Sequence, residues 1–250
     1  MRHTAARLGV LGLALCLPPG SSAASLAGVP PPVQPAFTVP APHLLSRHET
    51  RAIFSPVLRR VAARRAPSSS APALSTLALS TPEGTTNIVL VLGEARAAAR
   101  LWVHVRFPIL PNNRTGWVPR SALGGFHFLH THLVVDRERF TATLLYNGRA
   151  IFRARVGVGR PDSPTPAGQF YVRDKLTAVT DPFYGPVAFG TSARSAVLTD
   201  WPAGGFVGIH GTDRPDLIPG RISHGCIRMR NADILRLSRL MPVGTPLTIR

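Results

Sequence analysis

The stretch ISHGC, residues 222–226, seats Cys226 two residues after His224, and His210 lies sixteen residues before the thiol in VGIHGTDRPDLIPGRISHGCIRM. Cysteine and histidine at this spacing admit several chemistries. A zinc site takes three or four ligands, usually with a closely spaced pair. Two histidines and one cysteine are offered here, with Asp213 or Asp216 as weaker candidates and no CxxC or HxxxH to close the set. His127, His130 and His132 of FHFLHTH are available to such a site, but the cluster reads more simply as an exposed strand edge. A nucleophilic site needs a thiolate, which a neighbouring histidine stabilises while offering an acid to the leaving group. His210 is the candidate for that role. Ser223 to Cys226 reads as a tight turn in which Gly225 lets backbone N–H groups approach a developing oxyanion. Redox signalling needs a resolving thiol, and a buried structural cysteine needs no chemistry at all.

The only other cysteine, Cys16, decides how isolated Cys226 is. Arg2 and Arg7 precede an apolar run from Leu8 to Leu17, followed by small residues at Ser21 to Ala24. This is the layout of a secretory signal over residues 1–24, and the apolar run is too short for a bilayer that needs about 20 residues. Cleavage would remove Cys16 and leave Cys226 as the sole thiol, without a disulfide partner or a resolving cysteine. Leu15 stands where a lipoprotein signal built on Cys16 would want a small residue. Export to the periplasm, wall or exterior is the expectation, with membrane attachment only if the signal is kept.

The chain has 250 residues and a formal net charge of +17, carried almost wholly by arginine, since Lys175 is the single lysine. The arginines are scattered, with no basic helix and no aromatic-interleaved patch, so nucleic acid is not the expected partner. An anionic wall polymer fits better. Residues 25–75 read as a Pro/Ala/Ser-rich disordered linker, and the folded part is expected to start near residue 76.

Two folded pieces follow. Residues 76–124 read as a small β module, from the apolar cluster Ile88 to Leu92 and the alternation Leu101, Val103, Val105, Phe107. Its stretch RTGWVPRSAL resembles the closing segment of bacterial SH3-like domains. Residues 129–250 carry HLVVDR, FTATLLY, the type I′ turn signal Asn147-Gly148, and Phe152, Ala154, Val156 and Val158 alternating with arginines. A further strand is expected around Phe170 to Val172, then a short helix capped by Asn231 with Asp233 in its first turn, and a last strand through Leu247 and Ile249. The fold class is mostly β with one or two short helices.

The segments IHGT (209–212), SHGCIRM (223–229) and NADI (231–234) resemble the catalytic core of bacterial L,D-transpeptidases, cysteine enzymes that cross-link peptidoglycan stem peptides. GVGRPDSPTPAGQFYV and YGPVAFGTS (184–192) extend the likeness over residues 129–250. The resemblance implies a β-sandwich-like catalytic domain, with Cys226 as nucleophile and His210 as its proton partner, oriented by the Gly211 carbonyl. It implies that Ser223, His224 and Gly225 shape the nucleophile turn. Arg228 is then placed to hydrogen-bond near the thiol or a substrate carboxylate, with a structural ion pair as the other reading, and Tyr184 to line the substrate cleft or pack its loop. No metal or organic cofactor is implied. The expected reaction is acyl transfer through a thioester with loss of D-alanine, giving a 3-to-3 cross-link. The alternatives are an L,D-carboxypeptidase, a catalytically idle wall-binding protein on the same scaffold, and a metallohydrolase.

Overall fold

A computed structural model of the chain describes residues 43–44, 51–177, 179–197 and 205–250. The signal-like segment with Cys16, and residues 25–42 and 45–50 of the expected linker, lie outside the described residues. Among the described residues no helix is long and apolar enough to cross a membrane.

The first sheet is built around a ten-residue strand whose apolar run Ile88 to Leu92 is buried almost throughout. In chain order its strands are β1 (His43–Leu44), β2 (Ala52–Pro56), β3 (Val61–Arg64), β4 (Ala73–Leu77), β5 (Ile88–Ala97), β6 (Arg100–Arg106), β7 (Thr115–Pro119) and β8 (His127–Leu129). They pair in the order β4-β3-β7-β6-β5-β2-β8, with β1 against β5. Strand β5 aligns Val91 with Ile53 on one side and with Val105 on the other. Ile53, Val89, Val91, Val103, Val105 and Val118 thereby share one core. Near-complete burial of each such side chain contributes about 1.5–3 kcal/mol.

The expected disordered linker is corrected here: β2, β3 and β4 lie within or across residues 25–75, and the ordered sheet begins well before residue 76. Strands of four or five residues, flanked by Pro, Ser and Arg, vanish in a composition average. Ala62 and Ala63 have weak strand propensity, yet Ala63 is fully buried once β3 pairs with β4 and β7. The connection between β3 and β4 is held by Arg64, whose Nη1 donates to the Ala71 carbonyl at 2.6 Å.

The second sheet carries the expected strands and four more, β14 to β17: β9 (Thr131–Asp136), β10 (Thr141–Tyr146), β11 (Arg149–Arg155), β12 (Gly157–Gly159), β13 (Gly168–Leu176), β14 (Ala188–Arg194), β15 (Phe206–His210), β16 (Gly220–Ser223), β17 (Ile227–Arg228) and, after the helix α1 (Asn231–Leu240), β18 (Pro246–Ile249). Their order is β11-β10-β9-β18-β13-β14-β15-β17-β12-β16. Asn147 and Gly148 both take positive φ, 49° and 76°, as the type I′ hairpin between β10 and β11 requires. Leu133, Leu144 and Phe152 from one half meet Phe189, Ile209 and Ile227 from the other in a single core, which Ile234 and Leu237 of α1 close. The two sheets dock through Tyr171, fully buried among Ala52, Ile88 and Leu90, with its hydroxyl donating to the Ile88 carbonyl at 2.9 Å.

Asn231 does not cap α1. It is the first helical residue, after Arg230, and its Oδ1 accepts the Thr212 N–H at 2.9 Å. The side chain spans a tertiary gap rather than its own helix end.

Candidate active site

Strands β15 and β17 run parallel, with Ile209 beside Ile227 and His210 beside Arg228. That register explains the motif spacing: it sets β15 beside the strand that follows Cys226, so His210 and Cys226, sixteen residues apart in sequence, line one cleft. Met229 N–H donates to the His210 carbonyl at 2.9 Å and fixes the pair of strands at that level.

Cys226 ends the turn between β16 and β17. Ser223 Oγ donates to the Cys226 carbonyl at 2.5 Å and accepts the Gly225 N–H at 3.2 Å. Gly225 holds φ at 116°, a conformation costly for any residue with a Cβ. Its N–H is spent inside the turn, on Ser223 Oγ. The backbone donor beside the reacting atom is Gly208 N–H, 3.3 Å from Cys226 Sγ. Thr165, from the Pro-rich crossing between β12 and β13, locks the turn from behind: its Oγ1 accepts Gly159 N–H and donates to the Gly225 carbonyl, both at 2.8 Å.

The His210 ring is 1% exposed. Its Nδ1 donates to the Gly211 carbonyl at 2.7 Å, which leaves Nε2 as the unprotonated nitrogen, buried and without a hydrogen-bond partner among the described residues. A Cβ at Gly211 would stand 2.3 Å from Asn231 Oδ1, so only glycine lets this carbonyl approach the ring with Asn231 behind it. Tyr184 packs edge-on against His210 at 5.0 Å between centroids, and Phe183 lies 6.0 Å away. Arg228 is nearly buried and its guanidinium sits 4.3 Å over the Phe183 ring. His224 sits on the exposed rim, its Nε2 2.5 Å from Arg160 Nη2.

Burial sets the charge state of the pair. It pulls the His210 imidazole down to about 4, against the Gly211 hydrogen bond and with help from Arg228. It pushes the Cys226 thiol up, opposed by Gly208 N–H and Arg228. Both shifts favour the uncharged forms, thiol and imidazole, at neutral pH.

His210, Tyr184, Ser223, His224, Cys226 and Arg228 line one cleft of about 280 Å³. Sequence reasoning missed Thr165, Arg173 and Glu83, of which only Thr165 lay in a segment already singled out, and it read Asn231 of NADI as a helix cap rather than as the acceptor for Thr212 N–H. Among the described residues no three His, Cys, Asp or Glu side chains gather as a metal site; His132 is bound instead to Thr248 Oγ1 at 2.8 Å, and His127 stacks on Phe54 at 4.8 Å.

A half-buried thiol and an oriented imidazole with an unpartnered nitrogen line one cleft, the combination that nucleophilic cysteine chemistry uses. Comparison with known proteins agrees with that class. The family model of the L,D-transpeptidase catalytic domain matches residues 130–249. YqjB of Bacillus subtilis is 33% identical over 126 residues, covering 47% of this chain and 70% of YqjB. YkuD of the same organism is 33% identical over 118 residues, covering 47% of this chain and 65% of YkuD, so the matched segment spans just under two thirds of that relative. The catalytic domain of the Enterococcus faecium L,D-transpeptidase, solved by NMR, is 28% identical, covering 48% of this chain and 96% of that domain, with a TM-score of 0.38. The chain belongs to the L,D-transpeptidase catalytic domain family.

Proposed function

We propose that this protein is an exported L,D-transpeptidase that joins peptidoglycan stem peptides by cysteine acyl transfer. The observation that carries the reading is the His210 Nε2 lone pair, buried and unpartnered in the same cleft as Cys226 Sγ. As Sγ attacks the carbonyl of the third residue of a donor tetrapeptide, a meso-diaminopimelate or its equivalent, the thiol proton passes to Nε2. Gly208 N–H supports the growing negative charge. The C–S bond forms, the bond to D-alanine breaks, and His210 returns its proton to the leaving amine. A thioester remains. An amine of a second stem attacks it, gives its proton to His210 and restores the thiol, leaving a 3-to-3 cross-link. Water in place of that amine gives carboxypeptidase activity. Arg228 and Tyr184 border the carbonyl's approach, and the surplus of arginine favours encounter with an anionic wall, over distances of about 8 Å at physiological salt.

The test is incubation of the purified protein with disaccharide tetrapeptide, followed by mass spectrometry. The expected products are D-alanine and a 3-to-3 dimer, both lost in Cys226→Ala. Release of D-alanine without dimer would make the protein a carboxypeptidase, and neither product would leave an idle wall-binding scaffold.

A further inference from the structure

The connection between β6 and β7, residues 107–114, belongs to the first sheet but spends its side chains on the second. Asn112 meets the backbone of Arg194, the last residue of β14, with both halves of its amide. Its Nδ2 donates to the Arg194 carbonyl at 2.7 Å and its Oδ1 accepts the Arg194 N–H at 3.0 Å. Asn113 Oδ1 accepts the Gln169 N–H on β13 at 2.6 Å, and Arg106 Nη1, at the end of β6, donates to the Gln169 carbonyl at 2.6 Å. Gly168 takes φ at 145°, and a Cβ there would run into the Asn113 amide. The first sheet thus grips two neighbouring strands by their backbones, as an added strand would. The family match begins at residue 130, so this connection lies outside it.

The grip on Arg194 falls where the second sheet's own ladder is interrupted. Strand β14 pairs with β15 from Ala188–His210 to Gly190–Gly208 and again at Arg194–Phe206; between those points Thr191, Ser192 and Ala193 stand against Val207 alone. On its other side the ladder from β13 ends at Val172–Thr191. A bulge breaks the ladder and bends the strand that carries it, so pairing alone does not fix Arg194 and Phe206 relative to Gly208. Asn112 holds Arg194 from outside. The next residue, Ser195, carries the hold across to β15, its N–H donating to the Gly205 carbonyl at 2.8 Å. Strand β15 brings Gly208 N–H to 3.3 Å from Cys226 Sγ and ends in His210, which lines the same cleft.

We propose that this connection makes the first sheet a working part of the reaction centre, with Asn112 as a positioning residue that sets where β15 presents Gly208 N–H and His210 to Cys226. The proposal rests on the acyl-transfer reading of Cys226. Asn112 touches no reacting atom and acts only through the backbone of Arg194.

The experiment is a time course of acylation of the full chain by a carbapenem at several concentrations, followed by intact mass, beside alkylation of Cys226 by iodoacetamide across pH. Asn112→Ala removes both hydrogen bonds to Arg194, and Asn112→Asp keeps only the acceptor. Ser55→Ala is the control: it removes a buried donor to the Gly124 carbonyl, 3.1 Å away inside the first sheet, and leaves the grip intact. Displacing a reacting group by about 1 Å can slow a reaction by about 10²-fold. Asn112→Ala is expected to lower the maximal acylation rate by about tenfold with the half-saturating concentration little changed, Asn112→Asp to lie between, and Ser55→Ala to match the native protein. Burial raises the Cys226 thiol and Gly208 N–H opposes it, so the alkylation profile should move to higher pH in Asn112→Ala and stay in place in Ser55→Ala. Should Asn112→Ala fail to fold, Asn112→Asp is read in the same way. A folded Asn112 variant that acylates at the native rate would overturn the proposal, as would an equal loss in Ser55→Ala, which would leave the first sheet a stabiliser only. A native protein that takes up no carbapenem would sink the acyl-transfer reading instead, and the positioning role would then stand or fall on the alkylation profile.

Discussion

The two ends of the cleft deal with burial in opposite ways. Around Cys226 and His210, burial is met by neutrality: the imidazole is held down to about 4, the thiol is held up, and backbone groups of Gly208 and Gly211 do the orienting. Around Arg173, burial is met by pairing, with a guanidinium clamped between Glu83 and Asp174 and resting on Phe206. The first end can change its charge during a reaction without rearranging its neighbours. The second sets a buried guanidinium against two carboxyls and so shapes the cleft wall. Function and stability should therefore separate along the cleft.

His210→Gln is the sharpest way to break that division. It removes the proton acceptor, and acylation by a carbapenem is expected to slow by about 10²–10⁴-fold with little change in fold. The pH dependence tests the neutral state itself. The folded value of His210 lies below the ordinary 6.5, so the unfolded chain takes up the proton first, and stability from the neutral imidazole is full above pH 6.5 and lost as pH falls toward about 4. Acylation should persist through pH 6.5 and fail near about 4; failure near 6.5 would mean that the ring is not held neutral by burial.

Arg173→Met should do the reverse. It leaves two carboxyls facing each other without their cation, and a loss of about 3–5 kcal/mol is expected in denaturant unfolding. The double variant with Glu83→Gln should recover part of that loss, since it removes one of the stranded charges. Thr165→Val stands between the two ends. It strips the donor from the Gly225 carbonyl and the acceptor from Gly159 N–H, costing about 1–3 kcal/mol and slowing acylation, and Thr165→Ser should restore both. The smallest effect belongs to the exposed pair Arg221–Glu138, where Glu138→Gln should change stability by less than about 1 kcal/mol.

The same contrast explains what the sequence made legible. Cys226, His210 and Gly211 stand in short segments whose spacing reflects one local fact, the parallel register of β15 and β17, and residue types alone mark them. The hairpin at Asn147-Gly148 and the alternation around Phe152 were legible because period and turn chemistry are local too. Glu83 and Arg173 are 90 residues apart and belong to different sheets, so nothing in either segment announces the pair. Strands β2 to β4 were hidden by their Pro, Ser and Ala surroundings and are specified by their partners, β5 for β2, β7 for β3, and β3 for β4. Asn231 looked like a helix cap because a cap and a tertiary hydrogen bond ask for the same side chain. The neutral resting state of His210 follows from burial, which spacing does not encode.

The most direct test of the central claim is the intact mass of the protein after incubation with a carbapenem, beside a Cys226→Ala control. The account predicts a single covalent adduct on the native protein and none on the control. A native thiol that reacts with a small alkylating agent yet takes up no carbapenem, or an adduct that survives in Cys226→Ala, would contradict an acyl-transfer site built on Cys226.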